Sequence, residues 1–147
     1  MGVEAVVLFD PARAWEFELR RKRGAHLFSK HRYLSAQMLA YLEDELWRDM
    51  ARAANAANAH LVERLRATGV VEFAYAPDAN MSIAAFPRAA HLRLQAAGAQ
   101  YHMWECRLDG DDPDEKLAAR LVCDWSARAE ETARFVALVA GDGAPGA

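Results

Sequence analysis

The sequence predicts an α+β fold, a long helix followed by a β-β-α-β-β-α sandwich, with one further strand at the N-terminus. Three observations carry this reading. Apolar runs at 70–77, 80–86, 100–108 and 117–125 are short and bounded by turn residues, as strands are. Between 32 and 67, Leu34, Met38, Leu42, Leu46, Met50 and Ala54 recur every four residues, a helical spacing. Gly24, Gly69, Pro87 and Gly98 fall where these patterns start or stop.

The first run, VEAVVLF (3–9), reads as a strand, and a lone terminal strand needs a sheet to join. Asp10 is a good N-cap and Pro11 suits the first helical position, so a helix follows and ends near Gly24 as its C′ glycine. Its last turn holds Arg20, Arg21, Lys22 and Arg23, where cations favour the negative end of the helix dipole. In the long helix, each four-residue step advances the apolar row by about 40°. Over its length the row turns about halfway round. Either the helix is kinked or broken near Glu43–Asp49, or its two ends pack on different partners. The small-residue segment ARAANAANAH permits close approach of a neighbour.

Beyond Gly69, VVEFAYAP and NMSIAAF read as strands, the second with Met81, Ile83 and Ala85 alternating. Pro87 starts a helix through Ala97. QYHMWECRL is a third strand, DGDDPDEK a polar loop, and LAARLVCDW a fourth strand. Ser126 caps the last helix, with Glu130 and Glu131 in its first turns and Phe135, Val136 and Val139 as its apolar stripe. GDGAPGA reads as a frayed tail.

The chain of 147 residues has the size of one domain, and 53% apolar residues is ordinary for a soluble protein. No window reaches the roughly 18 uninterrupted apolar residues of a membrane span. MGVEAVVLFD is not a signal peptide, because Glu4 and Asp10 flank a short run with no basic region before it. It also lacks the Ser/Thr of a myristoylation signal. Cys106 and Cys123 have no CxxC or Cys/His spacing and read as reduced thiols in a cytosolic protein. A net charge of −3 argues against a general nucleic-acid binder.

No HExxH, GxSxG, P-loop or GxGxxG occurs. His26, His31, His60, His91 and His102 show no metal spacing. Asp109, Asp111, Asp112 and Asp114 lack the order and the closing Glu of a calcium loop, and read as a solvated turn. Two features point to anions. Residues 20–37 carry six Lys/Arg and two His, with no acidic residue between Glu18 and Glu43. Lys22, Lys30 and Arg32 surround the Gly24 turn, which leads into a helix. The segment is either a solvated basic face or a phosphate or carboxylate site. Arg120 sits inside the apolar run AARLVCDW, either snorkelling at a sheet edge or presenting a bidentate donor to a carboxylate.

GVEAVVLFDPARAWEFELRRKRGAHLFSKHRYLSAQ, ANMSIAAF and ARLVCDW together resemble the C-terminal part of low-specificity L-threonine aldolase. These are fold-type I, pyridoxal-phosphate-dependent enzymes of the β-eliminating lyase group. The resemblance covers essentially the whole chain, and the RRKR…SKHRYLSAQ block is its most specific part. It implies a retro-aldol reaction that cleaves L-threonine or allo-threonine to glycine and an aldehyde, with the cofactor as electron sink. By the same resemblance, Arg120 matches the small-domain arginine that grips the substrate carboxylate. Arg32 and Lys22 match basic residues near the cofactor phosphate and the subunit boundary.

The fold implied is the small domain of a fold-type I enzyme. Residues 1–31 would be a remnant of the large-domain strand plus a linking helix, 32–141 the long helix and small domain, and 142–147 a disordered tail. In the family the Schiff-base lysine lies upstream of the position of Met1, so no catalytic residue is assigned in this chain. The expectation is a chain inactive by itself that binds no pyridoxal phosphate alone and no metal. In the full enzyme it would supply carboxylate binding and dimer contacts in a cytoplasmic homo-oligomer of amino-acid metabolism, touching neither nucleic acid nor membrane. The alternative is a stand-alone dimerising module that binds carboxylate ligands without catalysis.

Overall fold

The fold was obtained as a computed structural model, which describes residues 2–27 and 29–142. The predicted frayed or disordered tail therefore falls, beyond Asp142, outside the described residues. The chain divides into two compact units, the first running through Trp47 and the second beginning at Arg48.

In the first unit, residues 3–9 join no ladder, so the predicted strand is not formed among the described residues. A strand is stable only against a partner. Asp10 accepts the Ala12 N–H at 3.0 Å and starts a single 3-10 turn, which runs into α1 (Ala14–Arg23). The helix ends as a Schellman motif: Ala25 N–H donates to the Lys22 carbonyl at 3.2 Å, and His26 N–H to the Arg21 carbonyl at 3.0 Å. The left-handed residue is Ala25 (φ 60°), not the expected Gly24 (φ −78°). Gly24 relieves crowding instead, since a Cβ there would sit tightly against the His26 ring at 3.1 Å and the Arg20 carbonyl at 3.3 Å.

The predicted long helix is broken. α2 (Arg32–Leu42) stops at Glu43, Asp44 and Glu45 take φ of 48° and 60°, and α3 (Leu46–Ala67) begins afresh. The rotating apolar row has its explanation here. The break resets the phase, so that Ala54, Asn58, Leu61, Val62 and Leu65 become the buried line of α3.

The second unit holds a four-stranded antiparallel sheet of order β1 (Glu72–Phe73), β2 (Met81–Pro87), β4 (Lys116–Val122), β3 (His102–Met103). β1 and β3 are much shorter than the apolar runs predict. Glu105, at φ 54°, turns the chain out of extended geometry just after β3. Of the alternating residues only Ile83 is buried: Met81 is exposed and Ala85 only partly covered, while Ala84 and Phe86, on the other face, are fully buried and pair with Ala119 and Leu117.

α4 (Arg88–Ala96) and α5 (Ala129–Ala140) pack with the inner line of α3 in the same core: Leu61, Leu65, Phe86, Leu94, Leu121, Val139 and their neighbours. Asn58 ties α3 to the β1–β2 connection, donating to the Ala79 carbonyl at 2.8 Å and accepting from Ser82 Oγ at 3.2 Å. Arg93 of α4 donates to the Leu138 and Val139 carbonyls near the end of α5, at 3.0 and 3.2 Å. Ser126 is not the cap of α5. It lies in a turn where Asp124 accepts both its N–H and its hydroxyl at 2.8 Å, and Arg128 is the N-cap.

Candidate functional site

β4 is an inner strand, and side chains alternate across it. Leu117, Ala119 and Leu121 enter the core, which leaves Ala118, Arg120 and Val122 on the other face. Arg120 is directly opposite Ile83 on β2 and His102 on β3. The snorkelling reading required a sheet edge, and β4 is not an edge. Arg120 is half-buried, and its Nε is shielded from solvent with no hydrogen-bond partner. A buried guanidinium donor without an acceptor is costly, and a guanidinium is the side chain suited to bidentate contact with a carboxylate.

Arg120 borders an open cavity of about 740 Å³ shared with Gln95, Gln100, Tyr101, His102 and Val122. No acidic side chain lines it. Its chemistry is therefore one guanidinium, two amides, a phenol and an imidazole, a set suited to a small anion with further hydrogen-bonding groups.

One wall of this cavity is anchored by a residue that the sequence reading weighed only for metal spacing. His91, fully buried on α4, stacks on Phe86 with ring centroids 3.9 Å apart. Its Nε2 lies 2.9 Å from the Leu117 carbonyl, which can only accept, so Nε2 carries the proton. Nδ1 then accepts from the Tyr101 hydroxyl, also at 2.9 Å. Burial lowers the His91 pKa, the largest influence, against hydrogen bonding to the backbone at Leu117 and Phe86 that raises it, while the nearby Arg88 charge lowers it further. Burial pushes Tyr101 up to about 12. Both groups are neutral at pH 7 and link β4 to the segment bearing Tyr101 and His102.

Arg88 is the second missed residue. Its guanidinium is buried, donating to the carbonyls of Asp112 at 2.9 Å and of Leu108 and Asp109 at 2.6 Å, and pairing with Glu115. The acidic loop before β4 is thus wrapped around a cation, but the cation is a side chain. Gly110 (φ 121°) is required there, because a Cβ would come within 2.6 Å of Arg88 Nη2. The hydrogen-bond partners of Arg88, and the Leu117 partner of His91, lie 20 or more positions away along the chain, while the nearer partners of His91, Phe86 and Tyr101, carry no motif that marks it. Among the described residues no group of three or more His, Cys, Asp or Glu could hold a metal.

The other two expected site residues lie in the first unit. Lys22 is exposed in the last turn of α1. Part of the basic cluster around it is already paired, Arg20 with Glu16 and Arg21 with Glu18, both at 2.7 Å. Arg32 is exposed at the start of α2, with its guanidinium 5.0 Å from the centroid of the Tyr33 ring. Neither lines the cavity bordered by Leu8, Arg13, Phe17 and Arg20 in that unit.

Against known proteins, no family model matches the chain. It is 28% identical over 141 residues to the low specificity L-threonine aldolase of Pseudomonas aeruginosa. The chain is a homologue of low specificity L-threonine aldolase. The match takes in 94% of this chain but 38% of the relative, so the chain spans about two fifths of that aldolase's length, in its C-terminal part. A solved structure of Leishmania major threonine aldolase superposes with a TM-score of 0.70 at 24% identity, covering 84% of this chain and 34% of that one. This second likeness is one of fold: a mixed α/β small domain with a long helix and a four-stranded antiparallel sheet.

Proposed function

We propose that the chain is the carboxylate-binding small domain of a threonine-aldolase-type lyase, with Arg120 as the substrate-carboxylate ligand. The observation that carries this is Arg120 itself: an inner-strand guanidinium on the face away from the core, with its Nε unpartnered, in a cavity free of acidic groups. The aldolase relative supports the substrate class, a small β-hydroxy-α-amino acid.

Pyridoxal phosphate enters through the same relative. As donors, the ammonium of Lys22 and the guanidinium of Arg32 suit a phosphate group. As a cradle they do not, since both are exposed and neither lines the cavity of its unit. Their proposed role is to add positive charge to a phosphate site that other parts of an aldolase complete. When bound, the cofactor supplies an electron sink for the carbanion left by carbon–carbon cleavage. Arg120 would hold the carboxylate and so fix the orientation of the bond to be broken. No helix among the described residues is long and apolar enough to cross a membrane. A cytoplasmic homo-oligomer is the proposed setting, and the exposed apolar side chains of the first unit support the oligomer.

The test is an NMR titration of the chain with acetate and with glycine. Binding should shift the amide resonances of His102, Arg120 and Val122, and Arg120→Ala should abolish those shifts while leaving the spectrum folded. Unchanged shifts in Arg120→Ala would discard the assignment. Adding pyridoxal phosphate and L-threonine to the chain should give no acetaldehyde; sustained turnover would show that the reacting groups are all here.

A further inference from the structure

We infer that the second unit carries a further small-molecule site, on the core side of its sheet, that takes a free amino acid with a bulky apolar side chain. An open cavity of about 430 Å³ lies between α5, the end of α4 and the end of β4. Its floor is the core itself: Leu61, Leu94 and Leu121 are buried core residues, and Phe135 and Leu138 are partly buried against them. Its rim is charged. Glu131 and Arg134 line it from α5, and both are exposed. An apolar body with a polar end is the kind of ligand that such a cavity accepts.

The fold gives the cavity a fixed wall. α4 ends in a Schellman motif, in which Gly98 N–H donates to the Gln95 carbonyl at 3.0 Å and Ala99 N–H to the Leu94 carbonyl at 2.9 Å. Gly98 sits at φ 87°, a left-handed value that turns the chain off the helix and along the cavity. The floor residues offer apolar contact, which favours a branched or aromatic side chain over a polar one. The rim then selects the polar end. Residues three apart on a helix have Cβ atoms about 5–6 Å apart. A carboxylate and a guanidinium so placed address an ammonium and a carboxylate carried on one carbon, as in an amino acid. A ligand with a single charge would leave one of the two rim groups to water. Ala99, Gln100, Tyr101 and Val122 also border the cavity of Arg120, a residue of the opposite face of β4. Gly98, Thr132 and Leu138 line this cavity and not that of Arg120, so they report on it separately.

The experiment titrates the full chain with L-leucine, with isopentylamine, which lacks the carboxylate, and with 4-methylpentanoate, which lacks the amine. It follows the amide resonances of Gly98, Thr132 and Leu138. L-leucine should move all three and bind roughly three- to tenfold more tightly than either truncated probe, the worth of one rim contact. Arg134→Gln should erase its advantage over isopentylamine, and Glu131→Gln its advantage over 4-methylpentanoate. Both rim residues are exposed, so these substitutions leave the fold intact. Leu138→Trp, which fills the floor, should abolish the shifts at Gly98 and Thr132, whereas Arg120→Ala should leave them unchanged. No shift at the three amides in the wild type overturns the inference. Equal binding of all three probes, or a preference for L-leucine that survives both rim substitutions, overturns the amino-acid assignment. Shifts confined to His102 and Arg120 that vanish in Arg120→Ala would mean that L-leucine enters the other cavity, and the inference falls while the reading of Arg120 stands.

Discussion

The two units of this chain solve burial in opposite ways. From Arg48 onward the chain has a core: Leu65, Ala84, Phe86, Ala90, Leu94 and Ala119 are fully buried, and helices cover one face of the sheet. Before that point no described residue is buried. Instead Phe9 is 96% exposed, Trp15 73%, Val7 72% and Leu39 71%, which are values for solvent-facing residues although the side chains are apolar. Isolated apolar residues at a surface are ordinary, but a whole unit made of them is not. Burial of that surface is the main favourable contribution to folding that the first unit forgoes. The second unit holds itself together, and its cavity at Arg120 is built entirely from its own elements.

The largest expected effect sharpens this contrast. Phe86 is fully buried, stacked on His91 and edge-on to Tyr101 and Phe135. Phe86→Ala should cost about 3–5 kcal/mol in urea unfolding. Leu39→Ala, although it removes a similar apolar side chain, should change stability by less than about 0.5 kcal/mol. Comparable losses at the two positions would break the comparison, because they would mean that Leu39 is packed in solution.

A middle-sized effect concerns the loop before β4. Arg88→Gln removes the charged donor that holds three carbonyls and pairs with Glu115. A loss of about 2–3 kcal/mol is expected, with faster hydrogen exchange confined to residues 108–115. Unaltered exchange there would mean that the loop does not depend on the guanidinium.

How much of this the sequence disclosed follows from the range of each interaction. The break at 43–45 was one of two readings the sequence left open near 43–49, because a straight helix cannot keep a four-residue row on one side, and Arg120 stood out because a charge interrupts an apolar strand. The core face of β2 was not legible, since Met81, Ile83 and Ala85 are as apolar as Ala84 and Phe86, and period-2 counting cannot rank two apolar faces. The strand at 3–9 was read from composition, but pairing is a property of a partner. The capping role given to Ser126 went to a local competitor, the side chain of Asp124 two residues before it. Asn58 falls one step past Ala54 in the four-residue row. It was left out because it is polar, yet it is buried and fully engaged. Lys22, Arg32 and Arg120 show the remaining gap: sequence offers charge and chemistry, but not neighbours, and it is the register of the folded sheet that sets His102 opposite Arg120.

The smallest effect depends on pH. Burial holds the His91 pKa below its ordinary value near 6.5, whereas in the unfolded chain the ring titrates normally. Between those two values the unfolded state binds one more proton than the folded state. Stability therefore rises with pH through that window. It is lost progressively as pH falls below about 6.5 and levels off beneath the folded value. Protonating Nδ1 would also turn an acceptor toward the Tyr101 hydroxyl into a second donor, so the hydroxyl would have to rotate and accept instead. His91→Gln, which can still donate to the Leu117 carbonyl and accept from Tyr101, should flatten the stability curve between pH 5 and 7 without changing its course at higher pH. Urea midpoints across that range check this. A variant that keeps the wild-type slope would place the titrating group elsewhere, and the first unit, with no buried residue among those described, offers no comparable histidine.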